Sequence, residues 1–251
     1  MKIIGVIPAR YKSSRFPGKP LADICGKPMI WWVYNRVSQV KEFDDVFVAV
    51  DDERVVEVCR DVGIKYVMTR NDHPNHIARI QEVSDMVEAD YYVCINGDEP
   101  LIDPESIRKL LPEKPNYDKE FFRGAMRKLI DAAETIDFAN IKLAVSASGR
   151  CIYMSRSPIP YPRGTLLFNY KKYVGIECFN KKALDFFVSK EMGELEKAED
   201  IDHLRFIENG KEMLFTMVDS ESISVDTIKD LEKVRIMMAE QLGNGDKVCT
   251  E

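Results

Sequence analysis

Apolar runs alternate with amphipathic segments through the first hundred residues, and this alternation constrains the fold more than any other feature of the chain. Segments 2–8, 46–50 (VFVAV), 65–69 (KYVMT) and 91–95 (YYVCI) read as strands. The run Ile3-Ile4-Gly5-Val6-Ile7 in the first of them is apolar without a period-2 break and reads as a buried strand. Between them, 28–40 sets Ile30, Val33, Val37 and Val40 on one stripe, with Pro28 suited to the first helical turn. Segment 53–62 carries Val55, Val58 and Val62 and ends near Gly63; segment 77–88 carries Ile77, Ile80, Val83 and Val87. Strand and helix in regular alternation predict right-handed βαβ units and a parallel sheet, an α/β fold. Ligands of such sheets bind beyond the carboxyl ends of the strands.

The second half is less regular. Residues 141–161 read as strand, turn at Ser148–Gly149, strand and a proline-punctuated loop; 171–179 reads as a further strand. Segment 198–209 predicts a helix ending near Gly210, 213–218 a strand, and 227–241 a closing helix with Leu231, Val234, Met237 and Met238 on its apolar stripe. The polar, turn-rich stretch 112–121 reads as a surface loop. A chain of 251 residues allows one large domain, or a domain with a smaller lobe.

The net charge of -6 argues against nucleic acid as a partner. No apolar run reaches the ~20 residues that span a bilayer, so no membrane association is expected. The six cysteines show no CxxC or zinc-ligand spacing; Cys94 and Cys178 sit in apolar runs and read as small core residues. The setting expected is reducing and cytoplasmic.

Against this acidic background, VIPARYKSSRFPGKPL (6–21) sets Arg10, Lys12, Arg15 and Lys19 on one loop, with no acid among them, at the end of the first strand. Arg and Lys donors there can surround a polyphosphate, with Gly18 letting backbone amides approach oxygen atoms; a solvated charge run is the plain alternative. Neither GxxxxGK[ST] nor GxGxxG is present. In CINGDEPLI (94–102), Asp98 and Glu99 follow a strand at a place where carboxylates can hold Mg²⁺, although Gly-Asp and Pro are also ordinary turn residues. In ISVDTIKDLEKV (223–234), Asp226 or Thr227 is suited to cap the helix that follows.

These pieces, in this order, resemble the 3-deoxy-manno-octulosonate (Kdo) cytidylyltransferase family, the CMP-Kdo synthetases. The resemblance runs nearly end to end. It includes IPARYxSxRxPGKPL, GKPMI (26–30), TRNDH (69–73), GDEPLI, residues 140–164, VGIECF (174–179), residues 196–210 and VDTxxDLExV. It implies a Rossmann-like three-layer α/β nucleotidyltransferase fold with a mostly parallel sheet and a smaller mixed acceptor and dimerisation lobe. It implies a single domain, about 1–110 for the nucleotide and about 111–251 for acceptor binding and dimerisation. The implied reaction moves CMP from CTP to a 2-keto-3-deoxy sugar acid, with Mg²⁺ and loss of pyrophosphate, in a homodimer serving lipopolysaccharide or capsule synthesis. Exposed-looking aromatics such as Tyr161, Phe168 and Tyr170 give the dimer weak support.

Carried onto this sequence, the resemblance makes Arg10, Lys19, Asp98 and Asp226 the catalytic residues, with Asp98 and Asp226 as the metal carboxylates. Nucleotide contacts fall on Pro8, Ala9, Arg10, Ser14, Arg15, Lys19, His73, Asn75, Arg79, Asn96, Gly97 and Asp98. Acceptor contacts fall on Arg156, Tyr173, Glu199, Asp202 and His203, with Arg156 able to pair with a substrate carboxylate.

The sequence also departs from the family. The usual HxSGT[DE]R loop reads HPNHIAR at 73–79: His73 and Arg79 keep register, while Asn75, His76, Ile77 and Ala78 replace Ser, Gly, Thr and the acid. His76 reads as a solvent-facing loop histidine. Asn96 stands for Gln before GDEP, Tyr173 for a His, Asp202 for Glu and His203 for Gln. A pocket that reads hydroxyls by hydrogen bonds discriminates strongly when its partners change. The changes at Tyr173, Asp202 and His203 therefore point to a modified acceptor. Competing readings are a phosphorylated or phosphonate acceptor, a non-catalytic nucleotide-binding relative, and a glycosyltransferase. The third lacks the Asp-x-Asp element it would need after an early strand.

Overall fold

A computed structural model describes residues 1–12, 16–165, 167–220 and 222–243. Its first half contains β1 (Ile3–Ala9), β2 (Asp23–Ile24), β3 (Lys27–Pro28), α1 (Met29–Val37), β4 (Asp45–Val50), α2 (Glu53–Asp61), β5 (Tyr66–Met68), α3 (His76–Met86), β6 (Tyr91–Ile95) and α4 (Pro104–Arg108). The second half adds β7 (Phe122–Lys128), α5 (Ala132–Ile136), β8 (Lys142–Val145), β9 (Cys151–Ser155), β10 (Lys171–Asn180), α6 (Lys181–Val188), α7 (Glu194–Glu199), α8 (Leu204–Glu208), β11 (Leu214–Met217) and α9 (Ile228–Gln241).

Among the described residues the main sheet has nine strands, ordered β11-β7-β10-β6-β1-β4-β5, with β8 and β9 branching from β10. The pairs β1–β4, β1–β6 and β4–β5 are parallel, as the alternation predicts, and β11–β7 is parallel as well. β10 runs antiparallel to both β6 and β7. Strand β1 shows how two faces are built. Ile3, Ile7 and Ala9 pack with α1 and α2 through Ile30, Val33, Val55 and Val56. Ile4 and Val6 pack on the other face with Ile77 and Ile80 of α3 and Leu184 of α6. Successive side chains of a strand point to opposite faces, so a run of consecutive apolar residues is buried from both sides.

Several elements differ from expectation. Pro28 is the N-cap of α1 rather than part of its first turn. The helix expected at 198–209 is two helices, because Asp200 takes a left-handed conformation at φ 52° and ends α7. Strand β7, the short helices α4 to α6 and the β2–β3 hairpin carry weak sequence signals. β7 forms because β10 and β11 pair with its two edges.

Candidate active site

The carboxyl ends of β1 and β6 meet at one place, and a glycine makes the meeting possible. A Cβ on Gly97 would lie 2.5 Å from the Pro8 carbonyl oxygen, inside any tolerable contact. The basic loop leaves β1 here and folds back at Gly18, whose φ of 71° favours glycine; the Gly18 amide donates to the Tyr11 carbonyl at 2.9 Å. Lys19 then points at the turn after β6. Its Nζ lies 2.6 Å from Asp98 Oδ2 and 3.4 Å from Asp226 Oδ1. The backbones of the two acids' segments are joined, since the Val225 amide donates to the Asp98 carbonyl at 2.9 Å. Thr227, not Asp226, caps α9 through a capping box with Asp230. The Asp226 carboxylate is thereby left to face Lys19.

One ammonium thus serves two carboxylates. Among the described residues, Asp98 Oδ1 is buried with no hydrogen-bond partner. A buried carboxylate oxygen left bare is costly. This donor set fits a hard divalent cation bound by few carboxylates. Next to Asp98, Glu99 is buried and accepts a hydrogen bond from Ser222. Burial, reinforced by the Asp98 charge, pushes its pKa up to about 7.

Around this point, Arg10 is half-buried and Lys12 exposed; Ser14 and Arg15 lie outside the described residues. Ala9 is buried and Pro8 half-buried. Asn96 donates its amide to the Gly175 carbonyl at 2.9 Å. Arg79 is fully buried. It holds Asp51 Oδ2 at 2.8 Å and Thr69 Oγ1 at 2.6 Å, and the other Asp51 oxygen accepts from the Tyr11 amide at 3.0 Å. Arg79 therefore acts on the basic loop through Asp51. A cavity of about 330 Å³ lined by Asp51, Thr69, Arg70, Asn71 and Asp72 opens beside it. His73 is buried against Glu82. Asn75 caps α3 through its Oδ1, while its Nδ2 is buried without a partner among the described residues.

The expected acceptor residues separate into two groups. Arg156 directs its guanidinium to main-chain oxygens of Glu199 and Asp200, both at 2.7 Å, and of Phe138 at 3.2 Å. Glu199 in turn accepts from Ser155 Oγ at 2.6 Å and the Arg156 amide at 2.9 Å. The pair is a latch between β9 and α7, and a substrate carboxylate would have to displace those contacts. Tyr173, Asp202 and His203 instead come together with His76, around a residue that sequence reasoning missed, Glu177. Tyr173 and His203 both hydrogen-bond Glu177 Oε1. His76 Nε2 lies 3.1 Å from Oε2, and His76 Nδ1 lies 3.7 Å from Asp202. His76 is thus the first residue of α3 and bound to a buried acid, not a solvent-facing loop histidine. Burial works against the Glu177 charge, but the imidazoles of His203 and His76 outweigh it and hold the carboxyl well below its usual range.

A family model described as cytidylyltransferase matches residues 4–213. The chain is 41% identical to the 3-deoxy-manno-octulosonate cytidylyltransferase of Escherichia coli, over 96% of this chain and 98% of that protein. The chain belongs to the 3-deoxy-manno-octulosonate cytidylyltransferase family. It is a nucleotidyltransferase, as the sequence resemblance implies. The solved structure of a CMP:2-keto-3-deoxy-manno-octonic acid synthetase complexed with CTP superposes with a TM-score of 0.90 at 40% identity, covering 96% of this chain and all (100%) of that one. The chain is also 35% identical to an 8-amino-3,8-dideoxy-manno-octulosonate cytidylyltransferase of Shewanella frigidimarina, over 95% of this chain and 99% of that protein. Among the described residues, no helix of this cytidylyltransferase is long and apolar enough to cross a membrane. Within the family frame, His76, Tyr173, Asp202 and His203 are four departures from the usual pattern, and they are spatial neighbours. The signal for Glu177 was an acid inside an apolar strand, which needs partners wherever it is buried.

Proposed function

We propose that this chain transfers CMP from CTP to a 2-keto-3-deoxy sugar acid, Kdo or a modified relative, in a Mg²⁺-dependent reaction that releases pyrophosphate. The observation that carries the reading is Lys19 between Asp98 and Asp226, with Asp98 Oδ1 buried and bare. Asp98 and Asp226 would hold Mg²⁺, which when bound screens triphosphate charge and lowers the pKa of the attacking hydroxyl. Lys19 and Arg10 neutralise charge as the α-phosphate is attacked. The acceptor's anomeric oxygen bonds to the α-phosphorus while the bond to the bridging oxygen breaks; pyrophosphate leaves with that electron pair and the hydroxyl proton passes to water. Arg79 and Asp51 orient the loop, so the chain's contribution is mainly positioning.

On the acceptor side, Tyr173, Asp202, His203 and His76 present a different set of donors and acceptors from the family's usual one. This supports a modified sugar acid as the preferred acceptor. The test is pyrophosphate release with Mg²⁺, each of the four ribonucleoside triphosphates, and a panel of acceptors that includes Kdo, its 8-amino relative and phosphorylated acids. Release with CTP and a sugar acid is expected. Turnover of Kdo at the level of the best relative would remove the claim of altered specificity, and no CTP-dependent release with any acceptor would overturn the reading.

The reading makes the enzyme a cytoplasmic homodimer. Ile130, Phe138, Tyr161 and Leu167 are 82%, 74%, 84% and 89% exposed, and large apolar side chains gathered in the second half of the chain support a covered surface. Sedimentation velocity at micromolar concentration should give twice the chain mass.

A further inference from the structure

The geometry points to a transition-metal site, separate from the Asp98–Asp226 pair, formed by His76, Cys94 and Glu177 and selective for a borderline divalent cation of the zinc class. It does not depend on the acceptor assigned above.

Backbone register is the first reason. Glu177 of β10 and Cys94 of β6 are directly paired across the antiparallel ladder, so their side chains share a face with Cβ atoms about 5 Å apart. Against β7, the β10 register shifts between Val174 and Glu177, an irregularity of the kind that re-aims side chains beside functional sites. His76 enters from the start of α3 on the same face. One ligand atom from each of the three lies within 4.8 Å of the others. Tetrahedral ligands of zinc stand about 3.3–3.8 Å apart, so closing on an ion asks each side chain to move by roughly an ångström.

The surroundings are those of a ligand set. His76 presents Nε2 toward Glu177 while its Nδ1 faces the Asp202 carboxylate at 3.7 Å. A carboxylate behind a ligating imidazole fixes its tautomer and raises its basicity. Tyr173 and His203 steady the Glu177 carboxylate through Oε1, leaving Oε2 for the ion. Thiolate, carboxylate and neutral imidazole carry two negative charges, matching M²⁺. Cys94 and Glu177 are 1% and 0% exposed, while the His76 side chain is 25% exposed. The ion therefore has an entry path and a fourth position for water or a substrate oxygen. Sulfur and nitrogen donors favour Zn²⁺ or Co²⁺ over Mg²⁺, so the two sites would not compete. Sequence spacing could not show this site, because its ligands come from three elements.

The test is titration of the chelator-stripped full chain with Co²⁺, followed by absorption and by metal analysis after desalting. About one Co²⁺ per chain is expected, with a thiolate-to-cobalt charge-transfer band that Zn²⁺ displaces and excess Mg²⁺ does not. Cys94→Ser should abolish the band, and Cys151→Ser, at another free thiol, should leave it. Asp202→Asn should retain the band but weaken Co²⁺ binding about 10-fold. No stoichiometric uptake by the wild-type chain, or a band that survives Cys94→Ser, would overturn the site and leave an acid–histidine cluster only. Should Cys94→Ser fail to fold, the wild-type spectrum still decides, because a bound Co²⁺ without a thiolate band excludes Cys94 as a ligand.

Discussion

Lys19 Nζ sits 2.6 Å from Asp98 Oδ2, across 79 residues of sequence, and this contact joins the basic loop to the turn after β6. Neither partner is well solvated, with side-chain exposures of 16% and 20%. Lys19→Ala removes the charge that serves both carboxylates and that would meet the triphosphate. We expect kcat/KM for CTP to fall by about 100-fold or more, measured as initial rates at limiting CTP. Unchanged turnover there would refute the assignment of Lys19.

Gly97 holds the closest approach between β1 and the turn that carries Asp98. Gly97→Ala places a methyl against the Pro8 carbonyl oxygen at 2.5 Å, and one of the two backbones must move. A loss of about 1–3 kcal/mol is expected, read as a lower urea midpoint, together with reduced activity. Gly164→Ala meets nothing within 4 Å and is the matched control, expected within about 0.5 kcal/mol of wild type.

Arg205 and Glu196 form a bidentate pair in the interior, with Nε to Oε2 at 2.7 Å and Nη2 to Oε1 at 2.6 Å. Both side chains are almost fully buried. Arg205→Met strands a buried carboxylate and should cost about 3–5 kcal/mol. Adding Glu196→Leu removes that stranded charge, so the double variant should be more stable than Arg205→Met alone. A double variant less stable than the single one would show that the pair is not the source of the loss.

The Arg127–Glu134 contact supplies a pH signature. Hydrogen bonding to Arg127 is the largest cause that lowers the Glu134 carboxyl below its ordinary 4.5. A depressed folded-state pKa contributes stability above the unfolded value and loses it as pH falls through the folded value. Glu134→Gln should therefore be about 1 kcal/mol less stable than wild type near neutrality, and the gap should narrow steadily as pH drops below about 4.5. Thermal melts of both proteins between neutral and acidic pH measure it; a gap independent of pH would rule out the ion pair as its origin.

The first half was legible in the sequence because its structure is local. Strands β1, β4 and β6 are buried on both faces, so each must be an uninterrupted apolar run, and α1 to α3 each carry a stripe that packs on them. The positions of Lys19, Asp98 and Asp226 were legible too, since Lys19 lies in the loop that follows β1, Asp98 in the turn after β6 and Asp226 just before α9. Strand β7, FRGAMRK, was not legible: its Arg and Lys residues hide a strand that only its neighbours stabilise. The break at Asp200 was equally hidden: the left-handed residue stands where Arg156, distant in sequence, binds the Glu199 and Asp200 carbonyls.

The Glu177 cluster marks the boundary most clearly. Sequence alone identified His76, Tyr173, Asp202 and His203 as separate departures from a family pattern. Their common partner emerged only when β10 paired with β6 and set Glu177 beside Cys94, with His76 arriving across 101 residues and His203 across 26. Apolar periodicity fixes which residues leave water, because burial of a strand or helix face is a local demand. Which polar groups meet inside is decided by strand order and register, since a buried acid is stable only where the whole fold delivers its partners.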